Sequence, residues 1–274
     1  MHFLAQLLLP GLLWLPISNS LAMPLQSRVP GGIATLKLER NDKMPHFTFR
    51  DKTVLITREN DDYLAIVGLP LSLQPGRHFI EGTWGEETAQ QKNFFTVRAK
   101  KYTTQHITIQ DKRKVNPYAK DLKRILREKK RKQVARAVYN SQPADLNFEL
   151  PVQGIITGSF GKRRIFNGQA RRPHSGMDIA AALGTAVKAP STGTVIEVGD
   201  FFFSGNILYL HHGQGLITLF AHLSQIDVEL GENVKKGQII GRVGTTGRVT
   251  GPHLHWSVGL NGNWVDPALF LERQ

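Results

Sequence analysis

Residues 193–223 read GTVIEVGDFFFSGNILYLHHGQGLITLFAHL, three apolar runs rich in β-branched residues, with glycines between them. Runs of this length and composition are typical of β-strands, in which successive side chains point to opposite faces of a sheet. Glycines between such runs are typical of tight turns and of bends in a sheet. The stretch therefore predicts consecutive strands joined by short turns.

The same pattern extends in both directions, through GIITGSFG and GTAVKAP on one side and GQIIGRVG on the other. We predict a C-terminal glycine-rich antiparallel β-sheet domain over residues 146–274, and the predicted fold class of the chain is all-β. Six of the ten histidines lie in this domain.

The preceding part of the chain predicts a smaller all-β unit. Short strand-like runs such as IATLKLE, HFTFRD and TVLITR are separated by turn signals, and this spacing is typical of a sandwich. We predict an N-terminal small β-sandwich over residues 23–110. Its histidines, His46, His78 and His106, lie far apart in sequence and predict no site.

Residues 111–145 form a basic segment between the two units. Twelve lysines and arginines and only three acidic residues lie between Asp111 and Arg136, in a chain of net charge +13. A thin apolar stripe, which includes Leu122 and Leu126, predicts a basic helical linker that packs through this stripe and turns its charges outward. The outward charges have two interpretations, a solvated linker face or a docking surface for an acidic polymer. Nucleic acid is disfavoured because no aromatic residues are interleaved for base stacking.

The first 22 residues predict the compartment. They are apolar from Phe3 to Ile17 apart from Gln6, are broken by proline and glycine, and end in Ser20-Leu21-Ala22, which fits a small-x-small cleavage site. Residues 1–22 are predicted to be a secretory signal peptide, with a periplasmic or secreted mature chain that keeps no stable membrane insertion. The chain has no cysteine, which excludes disulfides and thiol chemistry.

Three polar clusters of the C-terminal domain predict a metal site. PHSGMD supplies His174 and Asp178 on a bent loop, FAHLS supplies His222, and GPHLHW supplies His253 and His255, which share one face of a strand. A His, an Asp and a further His form an open zinc site with room for a water. The two histidines left over are candidates for proton transfer or oxyanion stabilisation. The spacing leaves open which histidine is the third ligand.

These motifs, in this order, resemble the lysostaphin/LytM-type zinc metalloendopeptidases, which cut peptide cross-links of bacterial peptidoglycan. The resemblance covers about residues 150–270 and includes SFGKR, FNGQARRPHSGMDIAA, VKAPSTGTVIEVG, FAHLS and TGPHLHW. The resemblance implies one Zn²⁺ held by His174, Asp178 and His255, with His222 and His253 as the catalytic histidines. One of these two takes a proton from the attacking water, and the other stabilises the oxyanion.

The resemblance also implies peptidoglycan as the partner and a D-Ala–diaminopimelate cross-link as the bond cleaved. Two other functions are weighed against this one. A non-catalytic peptidoglycan-binding regulator would lack ligands, but all five groups are present here. A biotinyl or lipoyl carrier has similar half-repeats, but no lysine flanked by hydrophobic residues stands at the corresponding hairpin. Arg163 and Asn167 are expected near the cleft, and His211 and His212 are expected to be turn residues.

Overall fold

The computed structural model describes residues 23–38 and 43–271, and the predicted signal peptide lies outside them. This part of the chain has 21 strands and a single α-helix, which confirms the predicted all-β class. The strands are β1 (Ile33–Lys37), β2 (Pro45–Phe49), β3 (Lys52–Thr53), β4 (Leu55–Glu59), β5 (Asp62–Gly68), β6 (Gly76–Trp84), β7 (Gln91–Val97), β8 (Thr104–Ile107), β9 (Ile155–Gly158), β10 (Arg163–Phe166), β11 (Gln169–Arg171), β12 (Met177–Ala180), β13 (Ala186–Lys188), β14 (Gly193–Phe201), β15 (Gly205–His211), β16 (Ile217–Leu223), β17 (Gln225–Ile226), β18 (Asn233–Val234), β19 (Ile239–Arg242), β20 (His253–Leu260) and β21 (Asn263–Val265). The helix, α1, spans Ala119–Arg136, and 3-10 turns occupy Lys112–Lys114 and Pro267–Phe270.

The N-terminal unit consists of two facing sheets with strand orders β1-β5-β4 and β3-β2-β6-β7. Alternate residues of these strands point inward, because neighbouring side chains in a strand lie on opposite faces. Phe47 and Trp84 lie in the core between the sheets, and their rings contact edge to face with centroids 6.1 Å apart. This arrangement is the predicted small β-sandwich.

The C-terminal unit is built on a sheet with strand order β18-β14-β15-β16-β20-β12-β9, and β21 pairs with β20. All the pairings in this sheet are antiparallel. Residues 193–223 form its β14, β15 and β16, as the opening stretch predicts. A small sheet of order β13-β19-β17 lies beside it.

The two units share one hydrophobic core. Ile33, Leu55 and Ile66 of the sandwich belong to the same buried cluster as Leu254 and Trp256 of the C-terminal sheet. This contact stabilises the junction, because the apolar side chains of the sandwich and those of the C-terminal sheet shield one another from water.

Two side-chain amides also join the units. The Asn261 amide accepts a hydrogen bond from the Gly68 backbone N–H (2.7 Å) and donates one to the Gly68 carbonyl (3.1 Å). The Gln214 amide makes the same pair of bonds with Ile56, at 2.9 Å each. Each amide therefore pairs with a strand residue as a neighbouring strand would.

Strand β8 lies before the predicted boundary at residue 110 and pairs in parallel with β10 of the C-terminal unit, with Arg164 opposite Gln105. The chain from β8 then leads through the basic linker back to the C-terminal sheet. Among the described residues, no helix combines the length and apolarity that crossing a bilayer requires.

The predicted orientation of α1 is wrong. Leu122, Leu126 and Val134 are 51%, 64% and 62% exposed, whereas Asp121 and Glu128 are buried. The helix faces the β14–β15 hairpin, whose backbone and acidic side chains offer polar partners rather than an apolar groove. Charged residues therefore turn inward, and the apolar stripe is left in solvent.

The inward contacts of α1 are specific. Arg124 pairs with Asp200 at 3.0 Å, and the Arg131 Nε atom donates to Glu197 at 3.0 Å. Lys132 donates to the Ser204 hydroxyl at 2.7 Å, and the Phe202 N–H donates to Glu128 at 2.8 Å. The linker is thus fixed on one hairpin of the C-terminal sheet.

Candidate metal centre

Asp178 and His255 are placed together by strand pairing. They lie directly opposite each other on β12 and β20, and His253 lies opposite Ala180 in the same register. Residues two apart in a strand share a face. His253 and His255 therefore both lie on the face that carries Asp178, as the His-x-His spacing predicts.

His174 reaches the same point from the loop before β12. Its backbone is fixed by two hydrogen bonds, from its N–H to the Lys162 carbonyl and from the Gly161 N–H to its own carbonyl, both 2.9 Å. The loop packs closely on β20 at Gly176, where a Cβ atom would lie 2.3 Å from the Trp256 carbonyl oxygen. A residue without a side chain is therefore required at position 176.

Three ligand atoms converge here. The Asp178 Oδ1 atom lies 2.9 Å from His174 Nε2 and 2.8 Å from His255 Nδ1, and the two nitrogens are 3.0 Å apart. The three side chains are 1%, 14% and 11% exposed for His174, Asp178 and His255. They form a group that could hold a metal ion.

The ring nitrogens on the far side of both imidazoles have hydrogen-bond partners. The His174 Nδ1 atom is 2.9 Å from the Ser159 carbonyl, which can only accept, so Nδ1 carries a hydrogen. The His255 Nε2 atom lies 2.9 Å from the Ser257 hydroxyl, which can accept its hydrogen, and Nδ1 is then available as a ligand. Two ring nitrogens and a carboxylate oxygen thus face one point, where all three could bind a cation. Such anchoring of the second nitrogen is what metal-binding histidines show.

The pKa values agree with a site built for a cation. Burial raises the pKa of Asp178, but the adjacent His174 and His255 outweigh burial and hold the pKa well below its usual value. Burial lowers the pKa of His255 to about 4, against the opposing effect of Asp178. The site therefore presents an ionised carboxylate and a neutral His255, the forms that bind metal.

His222 and His253 lie beside this group, with ring centroids 4.9 Å apart. The Nδ1 atoms of both point at backbone carbonyls, that of His222 at Thr246 (2.8 Å) and that of His253 at Gly251 (2.9 Å). Each Nε2 atom therefore carries a free lone pair. The Nε2 atom of His253 lies 3.9 Å from Asp178 Oδ1. Both histidines can accept a proton at the site.

His222 has an unusual backbone. Its φ of 66° lies in the left-handed region, and its N–H donates to the Ser204 carbonyl at 2.9 Å. Strained non-glycine residues of this kind cluster at functional sites. Burial lowers the pKa of His222 well below its usual value, and the neighbouring His253 and His255 lower it further. Its Nε2 atom therefore stays unprotonated at neutral pH.

Other expected residues lie elsewhere. The Asn167 amide makes two hydrogen bonds with the Ile109 backbone, at 2.8 and 3.0 Å, and so holds the segment just before the linker. Arg163 lies exposed at the start of β10. His211 and His212 are buried rather than exposed in a turn, and His212 bonds the Thr192 carbonyl and the Thr218 hydroxyl, both at 2.8 Å.

The sequence reasoning missed Arg164, whose guanidinium lies 2.5 Å from Asp178 Oδ2. It also missed the supporting oxygens of Ser159 and Ser257. No local pattern marks these three residues, because their partners are brought to them only by the folded sheet.

Comparison with known proteins agrees with this arrangement. The model of Peptidase family M23 matches residues 172–267, and that of the Peptidase family M23 N-terminal domain matches residues 26–100. The crystal structure of an M23 peptidase from Pseudomonas aeruginosa is 38% identical, with a TM-score of 0.76, over 90% of this chain and 96% of the other. The chain belongs to peptidase family M23.

Two curated relatives are similar over less than half of this chain. The DD-carboxypeptidase/endopeptidase Mpg of Neisseria meningitidis is 41% identical over 122 residues, 44% of this chain and 28% of the relative. The peptidoglycan DD-endopeptidase ShyA of Vibrio cholerae is 39% identical over 112 residues, 40% of this chain and 26% of the relative. This chain thus spans under a third of the length of either relative.

Proposed function

We propose that this M23 chain is a zinc-dependent endopeptidase that hydrolyses peptide cross-links of bacterial peptidoglycan, at the bond between D-Ala and diaminopimelate. The observation that carries the proposal is the convergence of His174 Nε2, Asp178 Oδ1 and His255 Nδ1 on one point, beside two further histidines with free Nε2 atoms. The activities for which Mpg and ShyA are named support the substrate class.

The donor set fits zinc. Two neutral imidazole nitrogens and one carboxylate oxygen are the ligands of open zinc sites. Zinc bound by His174, Asp178 and His255 would polarise the scissile carbonyl and make its water acidic enough to ionise near neutral pH.

The chain's own histidines would move the protons. One of His222 and His253 accepts the proton of the attacking water at Nε2 and delivers it to the leaving amine, which must be protonated to depart. The other, once its own Nε2 has taken up a proton from solvent, donates a hydrogen bond to the oxyanion. The rings lie 4.9 Å apart, so both reach one scissile bond.

The proposal includes export and attachment to the wall. The predicted signal peptide would deliver the chain to the periplasm or medium, where peptidoglycan lies. Asp121 and Glu128 of α1 both turn inward, so the outward charges of the helix, which include Lys123, Arg127 and Lys130, are all positive. Peptidoglycan of this type carries free carboxylates, which such a face attracts.

Digestion of purified sacculi tests the function. The mature chain should contain one zinc by elemental analysis and release fragments whose masses show cleavage at the D-Ala–diaminopimelate bond. Asp178→Asn should release none, and His106→Ala, at an exposed histidine of β8, should act as the wild type does. A chain that bound sacculi without zinc and without releasing fragments would instead be a non-catalytic regulator.

A further inference from the structure

Arg248 is held rigidly on the loop that leads from β19 to β20. Its guanidinium carbon lies 4.5 Å from the ring centroid of Phe166 and 4.7 Å from that of Phe203. Its backbone N–H donates to the Phe203 carbonyl at 2.9 Å. Packing between two rings and a fixed backbone together restrict the plane of the guanidinium.

This guanidinium lacks a counter-charge. Within residues 23–38 and 43–271, no carboxylate forms a salt bridge with Arg248, and its one side-chain hydrogen bond runs to the Lys114 carbonyl at 3.3 Å. A guanidinium has five N–H donors, so most of them are left for another acceptor. Half-buried charges in proteins are normally paired, because burial without a partner is costly.

Two neighbouring arginines add to the positive charge around Arg248. Burial, together with the nearby charges of Arg164 and Arg171, lowers the pKa of Arg248 to about 10. Arg164 is neutralised by Asp178, and Arg171 donates to oxygens of Val115, Asn116 and Gln169. Among the described residues, Arg248 thus has no carboxylate partner, unlike Arg164, and fewer acceptors than Arg171.

The position of Arg248 links it to the catalytic cleft. The His222 N–H donates to the Ser204 carbonyl, one residue after the Phe203 carbonyl that holds Arg248, and His222 Nδ1 donates to Thr246, two residues before Arg248. The same two backbone segments therefore hold both side chains. An anion bound at Arg248 would therefore lie beside the two segments that position His222.

We propose that Arg248 binds a free carboxylate of the substrate, the one on the carbon atom that bears the leaving amine. The inference rests on the proposed function, since a D-Ala–diaminopimelate bond has such a carboxylate next to its nitrogen. A planar guanidinium donates two parallel hydrogen bonds to a carboxylate, and it discriminates against a neutral carboxamide. Arg248 thereby selects the acidic side of the cross-link and orients the scissile bond toward His222.

The test compares two soluble peptides in which D-Ala is joined to the side-chain amine of diaminopimelate. One carries the free carboxylate at that carbon, and the other carries a carboxamide. Wild-type protein should favour the acid by about 10- to 100-fold in kcat/KM, as expected for hydrogen bonds to a charged group. Arg248→Gln should lose this preference, mainly through KM, with little change toward the carboxamide. Arg248→Lys keeps the positive charge but loses the paired N–H donors of the guanidinium, so its preference for the acid should be intermediate.

Calorimetric binding of the diaminopimelate-containing products, acid against carboxamide, separates this inference from the proposed function. Failure of wild-type protein to cleave either peptide would overturn the function, whereas the ratio of the two Kd values tests Arg248 regardless of cleavage. An Arg248→Gln chain that kept the wild-type Kd ratio would overturn the inference. An equal loss of affinity for both ligands would also overturn the inference, because it would indicate that Arg248 only supports the local structure through the Lys114 carbonyl. Arg77→Gln, at an arginine that stacks 4.0 Å over Phe94 in the sandwich, is the control and should change neither ratio.

Discussion

The Nε2 atom of His174 and the Nδ1 atom of His255 lie 3.0 Å apart, and the opposite ring nitrogens contact the Ser159 carbonyl and the Ser257 hydroxyl. Removal of one of the two converging nitrogens should abolish metal binding. We expect His255→Ala to lose both zinc and activity, as measured by elemental analysis and sacculus digestion, and His106→Ala to keep both. One zinc per chain in purified His255→Ala would exclude His255 as a ligand.

His222 and His253 should behave differently from the ligands. Both anchor Nδ1 on a backbone carbonyl and present Nε2 to the site without belonging to the three converging atoms. We expect His222→Ala and His253→Ala to retain zinc and to lose roughly 10²- to 10⁴-fold in rate, as for a lost general acid or base. Turnover near that of the wild type in either variant would remove that histidine from the mechanism.

Buried His212 should make the stability depend on pH. Burial lowers its pKa to about 4 in the folded chain, whereas an unfolded histidine titrates near ~6.5. Between these values the unfolded chain binds a proton that the folded chain does not. The free energy of unfolding should therefore be unaffected by this residue above pH ~6.5 and should fall as the pH drops toward 4.

The slope contributed by one such proton is on the order of 1 kcal/mol per pH unit. Urea unfolding of the zinc-loaded protein at several pH values measures it. His212→Gln, although less stable overall because the Thr192 and Thr218 contacts change, should show a shallower slope. An unchanged slope in that variant would mean that other groups carry the dependence.

Loss of the Asn261 amide should weaken the junction between the two units. Asn261→Ala leaves the buried N–H and carbonyl of Gly68 without partners, and each unsatisfied group costs about 1–3 kcal/mol. We expect a lower midpoint of urea unfolding and faster proteolysis of the sandwich. Asn233→Ala, which removes an exposed hydrogen bond to Thr194, should have little effect. Equal effects of the two substitutions would argue against a stabilising role for the Asn261 pairing.

The outward face of α1 should govern attachment to the wall. Reversal of Lys123, Arg127 and Lys130 to Glu should weaken sedimentation with sacculi at 0.1 M salt, where the Debye length is ~10 Å, and should matter less at 1 M, where it is ~3 Å. Cleavage of a small soluble substrate should hardly change. The matched control reverses the exposed Lys52, Lys188 and Lys235, which gives the same net charge. If the reversal left binding unchanged at both salt concentrations, α1 would be a solvated linker without a role in attachment.

The strands, and the histidines that share one face of a strand, were predictable from the sequence because both depend on local information. Period-two runs marked the sheet, and the His-x-His spacing placed His253 and His255 on one face. The orientation of α1 was not predictable from its apolar stripe, since the surface that it meets is a hairpin bearing Glu197 and Asp200. The amide pairings of Gln214 and Asn261 also have no local signal, because their partners lie more than a hundred residues away along the chain.

The parallel pairing of β8 with β10 limits how far the protein can be shortened. A chain begun at residue 146 would leave one side of β10 with unpaired peptide groups, and it would uncover the apolar surface that Ile33, Leu55 and Ile66 now cover. Open strand edges and bare apolar patches favour self-association. A chain reduced to residues 146–274 would therefore be more prone to aggregate than the longer chain, and shortened variants should retain the sandwich.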